Sequence, residues 1–396
     1  MTSFTDGNQI QLLRNGAEYF PALLKEIERA TQDIYIQTYI YQEDATGVMI
    51  GNALKQAVIR GVNVNLLLDG FGSKDLPKIY VDELEQAGVQ VIFYRPKISP
   101  WSLKKQRLRR LHHKIVVIDG RVGFLGGINI IDDFDIPNNA QRKAPPRVDY
   151  AVKIEGNLLP ALSATVQKLW HRIAWIHLRR IKAFKHSVTP RVDQQSSLHQ
   201  NQYHNIKAAL VVRDNVLHRR DIEDAYLVAI EQAQSEIIIA NAYFVPGRRF
   251  RLALLAAARR GVKVRLLLQG RMEYLLMFAT HAFYGKFLRA GIEIYEYHKS
   301  FMHSKVAVID RHWATVGSSN IDPFSLLLAR EANIVVKDDD FANELRSDIE
   351  KSIHEGAVQI DPHQWANGSI LRRFASWVSY GLVRAFLGLI GHSSEK

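Results

Sequence analysis

Two histidines, two lysines and two asparagines recur in this chain at one fixed spacing. His112-x-Lys114 is followed by Asp119, Gly126-Gly127 and Asn129; His303-x-Lys305 is followed by Asp310, Gly317-Ser318 and Asn320. Both stretches obey His-x-Lys-x4-Asp-x6-Gly-[Gly/Ser]-x-Asn. A lone histidine on an apolar strand is usually a packing residue, but this whole pattern occurs twice. Side chains at i and i+2 of a strand share a face, so His112 and Lys114 are expected to point together, as are His303 and Lys305. Four apolar residues bury each strand, and Asp119 or Asp310 closes it. The glycines let backbone approach a ligand closely, and Asn129 and Asn320 can donate to a phosphate oxygen. Brought together, the two copies make a phosphate cage, with a nucleophilic imidazole on one side and a proton donor on the other. No Asp, Glu and His cluster has metal-ligand spacing, so the lysines must supply the positive charge. No metal and no cofactor is expected.

The elements around these residues are also duplicated. Arg60-Gly61-Val62 followed by Asn63-Val64-Asn65-Leu66-Leu67-Leu68-Asp69-Gly70 is matched by Arg260-Gly261-Val262 followed by Lys263-Val264-Arg265-Leu266-Leu267-Leu268-Gln269-Gly270. Ala87-Gly88-Val89 is matched by Ala290-Gly291-Ile292 in the same order. Such repetition implies two homologous halves. In each half a β-branched and aromatic run (33–41; 236–244) precedes a helical segment (48–60; 250–260). Gly61 or Gly261 stands where a helix end favours glycine. The strands 62–68 and 262–268 are apolar on both faces, as in a covered parallel sheet. The expected fold class is α/β, with the halves related by a pseudo-twofold axis and the site between them. The first half spans residues 1–185 and the second 206–360. They are joined by a polar, Gln/Ser-rich linker at 186–205 and followed by a basic apolar tail at 361–396.

Composition limits the partners. Hydrophobic residues make up 47% and charged residues 23%, a globular balance. Lysine and arginine total 52 against 40 acids, a formal net charge of +12, which favours an anionic partner. The chain has no cysteine, which excludes disulfides, thiolate zinc sites and a cysteine nucleophile. Residues 1–16 lack a basic segment followed by an apolar one, so neither a signal peptide nor an N-terminal anchor is expected.

The paired motif resembles the HKD signature of the phospholipase D superfamily, over residues 10–358. Tyr39-Ile-Tyr41, Leu68-Asp69-Gly-Phe-Gly72-Ser73, Ala242-Tyr243-Phe244 and Asn320-Ile-Asp322-Pro323 are similar to the bacterial cardiolipin synthases, of the shorter type without N-terminal transmembrane helices. The resemblance implies that one motif histidine, taken as His112, attacks phosphorus to give a phosphohistidine. The other, taken as His303, protonates the leaving alcohol and later deprotonates the incoming one. Asp119 and Asp310 brace the site, and a further acid after each motif orients a histidine; by position these are Asp149 and Glu331. The implied activity is transfer of a phosphatidyl group from phosphatidylglycerol or a related lipid to an alcohol, making cardiolipin. The alternative is a phosphodiesterase or nuclease of the same superfamily. A nuclease does not need the apolar tail, so the expected partners are phospholipid substrates and an anionic membrane, not nucleic acid. A location on the cytoplasmic face of a bacterial inner membrane follows from the same resemblance.

Four segments could meet lipid. Residues 370–391 form an apolar stretch carrying Arg372, Arg373 and Arg384, read as a shallow anchor. Residues 271–279 could line an acyl-chain groove. Residues 169–182 interleave Trp170 and Trp175 with Arg172, Arg179 and Arg180, which suits an anionic interface. The basic loop 97–110 leads directly into His112 and suits substrate or membrane contact.

Overall fold

The computed structural model describes residues 3–96, 109–136, 144–178, 205–214, 217–271 and 275–367, together with Ser376, Val378, Ser379 and Gly381. The linker up to 204, most of the loop 97–110 and nearly all of the tail lie outside the described residues.

The first half runs β1 (Thr5–Arg14), β2 (Asp33–Thr38), β3 (Asn63–Asp69), β4 (Gln90–Tyr94), β5 (Lys114–Ile118), β6 (Val122–Gly126) and β7 (Tyr150–Gly156). The second runs β8 (Ile206–Arg213), β9 (Glu236–Asn241), β10 (Lys263–Gln269), β11 (Glu293–Tyr297), β12 (Lys305–Ile309), β13 (Trp313–Gly317), β14 (Glu331–Lys337) and β15 (Ala357–Gln359). Within the halves the strand orders are β1-β7-β6-β5-β2-β3-β4 and β8-β14-β13-β12-β9-β10-β11, the same succession twice. The duplication read from the sequence is therefore a duplication of topology. The three strands farthest from the joint in each succession are parallel; the others pair antiparallel. The halves share one continuous sheet, because β1 pairs with β8 antiparallel between them.

Local chemistry sets the helix ends. Asp44 caps the helix Ala45–Ile59 by accepting from the Gly47 N–H, and Asp338 caps Asp339–Gly356 through the Phe341 N–H. Gly61 and Gly261 follow their helices at φ +88° and +90°, the left-handed region that a residue with a Cβ avoids. The parallel strands are covered on both faces: Leu66 and Leu68 pack in one core, Leu67 in another.

One core belongs to both halves. Val117, Val152 and Ile154 pack in the same cluster as Val306, Val308, Ile334 and Val336. Burial of each such side chain is worth about 1.5–3 kcal/mol, so the halves are held together by more than their shared sheet edge. Polar ties reinforce this: the Tyr150 hydroxyl donates to Asp348 at 2.6 Å, and Arg14 reaches Asp348 at 3.0 Å and Glu344 at 2.8 Å. Trp365, in the helix Pro362–Asn367, packs on His281 and Tyr284. That contact seats the start of the expected tail on the second half. Among the described residues no helix is long and apolar enough to cross a membrane.

Candidate active site

β5 and β12 begin at Lys114 and Lys305, so each histidine lies in the lead-in to its strand. Each lead-in is docked on the other half. Leu111 bridges Arg330 and Met302 bridges Val148. The His112 N–H donates to the Arg330 carbonyl at 3.0 Å, and the His303 N–H donates to the Val148 carbonyl at 2.8 Å. Arg330 and Val148 immediately precede Glu331 and Asp149. The two acids named by position are thereby delivered across the molecule. His303 Nδ1 donates to Asp149 Oδ2 at 2.6 Å, and His112 Nδ1 lies 2.8 Å from Glu331 Oε1. Each histidine is thus partnered by the acid of the opposite half. With Nδ1 turned to a carboxylate, the neutral ring carries its lone pair on Nε2, the nitrogen left for chemistry.

The lysines are anchored by the histidine backbone. Lys114 Nζ donates to the His112 carbonyl at 2.6 Å, and Lys305 Nζ donates to the His303 carbonyl. Lys305 Nζ also stands 3.8 Å from Asp149 Oδ2. Both lysines are buried, and that burial is the main reason their basicity falls, to about 7 for Lys114 and about 8 for Lys305. Burial, assisted by Lys305, drives His303 down to about 3 against the opposing pull of Asp149. Burial also lowers His112, opposed by Glu331. For Asp149 burial acts upward, but Lys305 and His303 overcome it and hold the carboxyl below its usual range. A phosphodiester entering this cage brings a negative charge that favours the protonated lysines and one protonated histidine.

The two sides are not identical. The Ser318 hydroxyl donates to Glu331. Gly127 occupies the matching place, and a Cβ there would stand 2.2 Å from Asp149 Oδ1. Asp149 Oδ1 instead accepts the Tyr150 N–H at 2.9 Å. The Phe301 ring stacks with His303 at 6.1 Å, whereas His112 has Tyr39 at 4.8 Å.

Asp119 and Asp310 are not beside the reacting groups. They stand at the far ends of β5 and β12 and tie down the turns before β2 and β9. Asp119 accepts the Thr31, Gln32 and Asp33 N–H groups, and Asp310 accepts those of Gln234, Ser235 and Glu236. Four strand residues separate each from its lysine, so both brace the fold behind the site, the role the family resemblance implies for them. Asn129 is buried and its Oδ1 accepts the Ile40 N–H at 3.1 Å, an orientation that leaves the amide NH2 as donor. Asn320 is also buried, and its Oδ1 has no hydrogen-bond partner among the described residues. His113 faces away, with Nε2 2.8 Å from Gln37 Oε1. Among the described residues no group of three or more His, Cys, Asp or Glu is arranged to hold a metal ion.

Three supports escaped the sequence reading. Asp69 accepts the Leu111 N–H at 2.8 Å and so braces the approach to His112. Phe301 and Ser318 complete the His303 and Glu331 environments. Asp69 has no local signal because it acts on a residue 42 positions away, whereas Phe301 lies two residues before His303 and Ser318 is a motif position whose partner, Glu331, only the fold reveals. In the segment 271–279 the side chains of 272–278 lie outside the described residues.

With this geometry in view, the comparisons with known proteins are decisive. A family model described as "Cardiolipin synthase, PLD-like domain" matches residues 23–133 and 226–353, one stretch in each half. The chain belongs to that family. Cardiolipin synthase B of Shigella flexneri is 37% identical over 401 residues, covering 98% of this chain and 91% of that protein. Cardiolipin synthase B of Salmonella typhimurium (strain LT2) is 38% identical over 387 residues, covering 98% and 90%. Among solved structures, phosphatidylserine synthase of Haemophilus influenzae Rd KW20 superposes with a TM-score of 0.67 at 14% identity, covering 96% of this chain and 93% of that one. This last likeness shows the overall α/β fold, and the family model's two matched stretches show that its PLD-like domain is duplicated.

Proposed function

We propose that this protein transfers a phosphatidyl group from phosphatidylglycerol, or a related phospholipid, to the hydroxyl of a second phosphatidylglycerol, forming cardiolipin. The observation that carries the reading is the crossed pairing of His303 with Asp149 and His112 with Glu331 beside two buried lysines. Neutral His112 attacks through Nε2. Its bond to phosphorus forms as the bond to the leaving glycerol oxygen breaks, and that oxygen takes a proton from His303. The now neutral His303 removes the proton of the acceptor hydroxyl. The new phosphorus–oxygen bond forms as the phosphorus–nitrogen bond breaks. Lys114, Lys305, Asn129 and Asn320 hold the phosphoryl oxygens, supplying fixed positive and hydrogen-bonding charge where negative charge develops. The short charge-assisted bond to Asp149 stabilises the imidazolium that an acid/base must form, which supports His303 in that role; His112 as nucleophile rests on the family resemblance.

The enzyme acts as a peripheral protein on the cytoplasmic face of a bacterial inner membrane, with residues 370–391 as its anchor. Exposed Trp175 and Ile176 near Arg172, in the helix Leu159–Leu178, support lipid contact by the described part of the chain. The direct experiment incubates pure protein with phosphatidylglycerol and phosphatidylethanolamine vesicles and identifies the products by mass. Cardiolipin with glycerol release supports the reading; phosphatidic acid alone replaces it with a hydrolase.

A further inference from the structure

The pseudo-twofold that relates the two halves of the site is broken by charge. On the flank where Leu111 bridges Arg330, the neighbouring side chains include Arg109 and Arg330. The corresponding positions on the other flank, where Met302 bridges Val148, are Ser300 and Val148 itself. Ser300 is already used, its hydroxyl donating to the Pro146 carbonyl at 2.7 Å. The guanidinium beside Val148, that of Arg147, is already turned to the Asp132 and Asp135 carbonyls, so the flank at Leu111 carries the guanidinium groups that no carbonyl or carboxylate among the described residues holds.

Arg109 and Arg330 pair with no carboxylate among the described residues, and the Nε of each is buried without a hydrogen-bond partner. Their surroundings add cations. Arg95 follows β4 with its guanidinium 5.4 Å from the Tyr94 ring, and its backbone is left-handed at φ +52°. Its carbonyl is held by Arg110 at 3.4 Å. Burial depresses Arg330, opposed by Tyr94 and the Asp214 carboxylate and assisted by Arg172 and Arg95; burial depresses Arg109, assisted by Arg95 and Arg219 and opposed by Tyr94. Burying guanidinium donors near one another and leaving them unpaired is costly. An anion bound among them removes that cost. Arg172, whose charge acts on Arg330, precedes the exposed Trp175 and Ile176 by one helix turn.

We propose that Arg109 and Arg330, with Arg95, form a second anion site that holds the phosphodiester of the acceptor phospholipid while the first phosphate occupies the histidine–lysine cage. This inference rests on the phosphatidyl-transfer reading and deepens it: it assigns the residues that select the anionic acceptor by its phosphate over any other available alcohol. Guanidinium donors suit the two unesterified oxygens of a phosphodiester through parallel charge-assisted hydrogen bonds.

The test is a partition experiment on the full chain. Phosphatidylglycerol serves as donor with ethanol present at fixed concentration, and cardiolipin and phosphatidylethanol are quantified together. The ratio of the two products reports acceptor choice by a common intermediate and does not depend on how much enzyme is folded. Arg330→Gln and Arg109→Gln should each lower the cardiolipin-to-phosphatidylethanol ratio by about tenfold or more, the scale of losing one charged partner of a phosphate. Arg330→Lys should recover part of the ratio, because it keeps the charge and loses the fork. Raising salt should lower the wild-type ratio and move the glutamine variants less. A ratio unchanged in both glutamine variants overturns the second site. So does a wild-type enzyme that makes phosphatidylethanol but no cardiolipin. If the wild type forms neither product, the phosphatidyl-transfer reading itself fails, an outcome separate from any effect of the arginines.

Discussion

Replacing Asp149 by asparagine tests the crossed pairing most sharply. The residue is 1% exposed, its Oδ2 accepts from His303 Nδ1 at 2.6 Å, and the same oxygen lies 3.8 Å from Lys305 Nζ. When His303 holds a proton, its ring and Asp149 form a charge pair separated by roughly 3 Å. At an effective dielectric of about 20, that pair is worth about 5 kcal/mol. An asparagine oxygen retains a neutral hydrogen bond, so the expected loss of imidazolium stabilisation is about 4 kcal/mol, or about three orders of magnitude in rate. Burial and Lys305 already push His303 down to about 3, and replacing Asp149 takes away the negative charge that opposes them. His303 must carry a proton to donate it, so the alkaline limb of the pH–rate profile should shift to lower pH. Steady-state turnover of phosphatidylglycerol would be measured from about pH 5 to 9, with circular dichroism and thermal melting as checks on folding. Because the two residues act as one unit, Asp149→Asn combined with His303→Ala should be no slower than His303→Ala alone. A loss under tenfold with an unshifted profile, in a folded variant, would refute the assignment of Asp149 as the positioning partner of His303.

Other consequences follow from the same geometry. Lys114 and Lys305 titrate at about 7 and about 8 in the folded chain, against 10.5 unfolded. Between those values the unfolded chain binds more protons, so their contribution makes stability rise with pH, while the cage loses charge and affinity for phosphate; calorimetry and inhibition by inorganic phosphate from about pH 6.5 to 9 should show these opposite trends. Asp310→Ala removes the acceptor for three backbone N–H groups and leaves a left-handed residue without its carboxylate. It should cost about 2–3 kcal/mol of stability yet keep turnover per folded molecule within about threefold, whereas a thousandfold loss in a folded variant would return Asp310 to the reaction centre. Chelation by EDTA should leave turnover intact, since His, Lys and Asn supply the cage; activity lost and restored by one particular divalent ion would contradict this. Deletion after His363 should release the protein from anionic liposomes and preserve turnover of a short-chain soluble substrate, and equal flotation of both forms would remove residues 370–391 as the anchor.

Much of the site was legible because the chain repeats it. One motif would have been a weak signal; two made His112, Lys114, His303 and Lys305 a single cage, and strand periodicity then accounted for the buried runs behind them. The fold was legible for the same reason, through paired glycines at 61 and 261 and paired strands after them. What the sequence withheld is the crossing. Nothing local tells that Asp149 serves His303 or that Glu331 serves His112, because both contacts depend on how the two halves meet around β1 and β8. The partners of the motif aspartates, Asp119 and Asp310, were hidden for a related reason. Each lies at the far end of its strand from the lysine, where it accepts backbone N–H groups of a turn far away in sequence. The charge asymmetry between Arg330 and Val148 likewise emerges only when the two bridges are superposed.

The central claim is a covalent phosphatidyl-enzyme formed in a site built from both halves. It is tested most directly by acid-free quenching during turnover of phosphatidylglycerol, followed by proteolysis and mass spectrometry of the histidine peptides. The account predicts a phosphatidyl group on Nε2 of His112, abundant in wild type and absent from His112→Ala. An adduct on His303 with none on His112 would reverse the roles, and active enzyme with no phosphohistidine at any stage of turnover would contradict the mechanism itself.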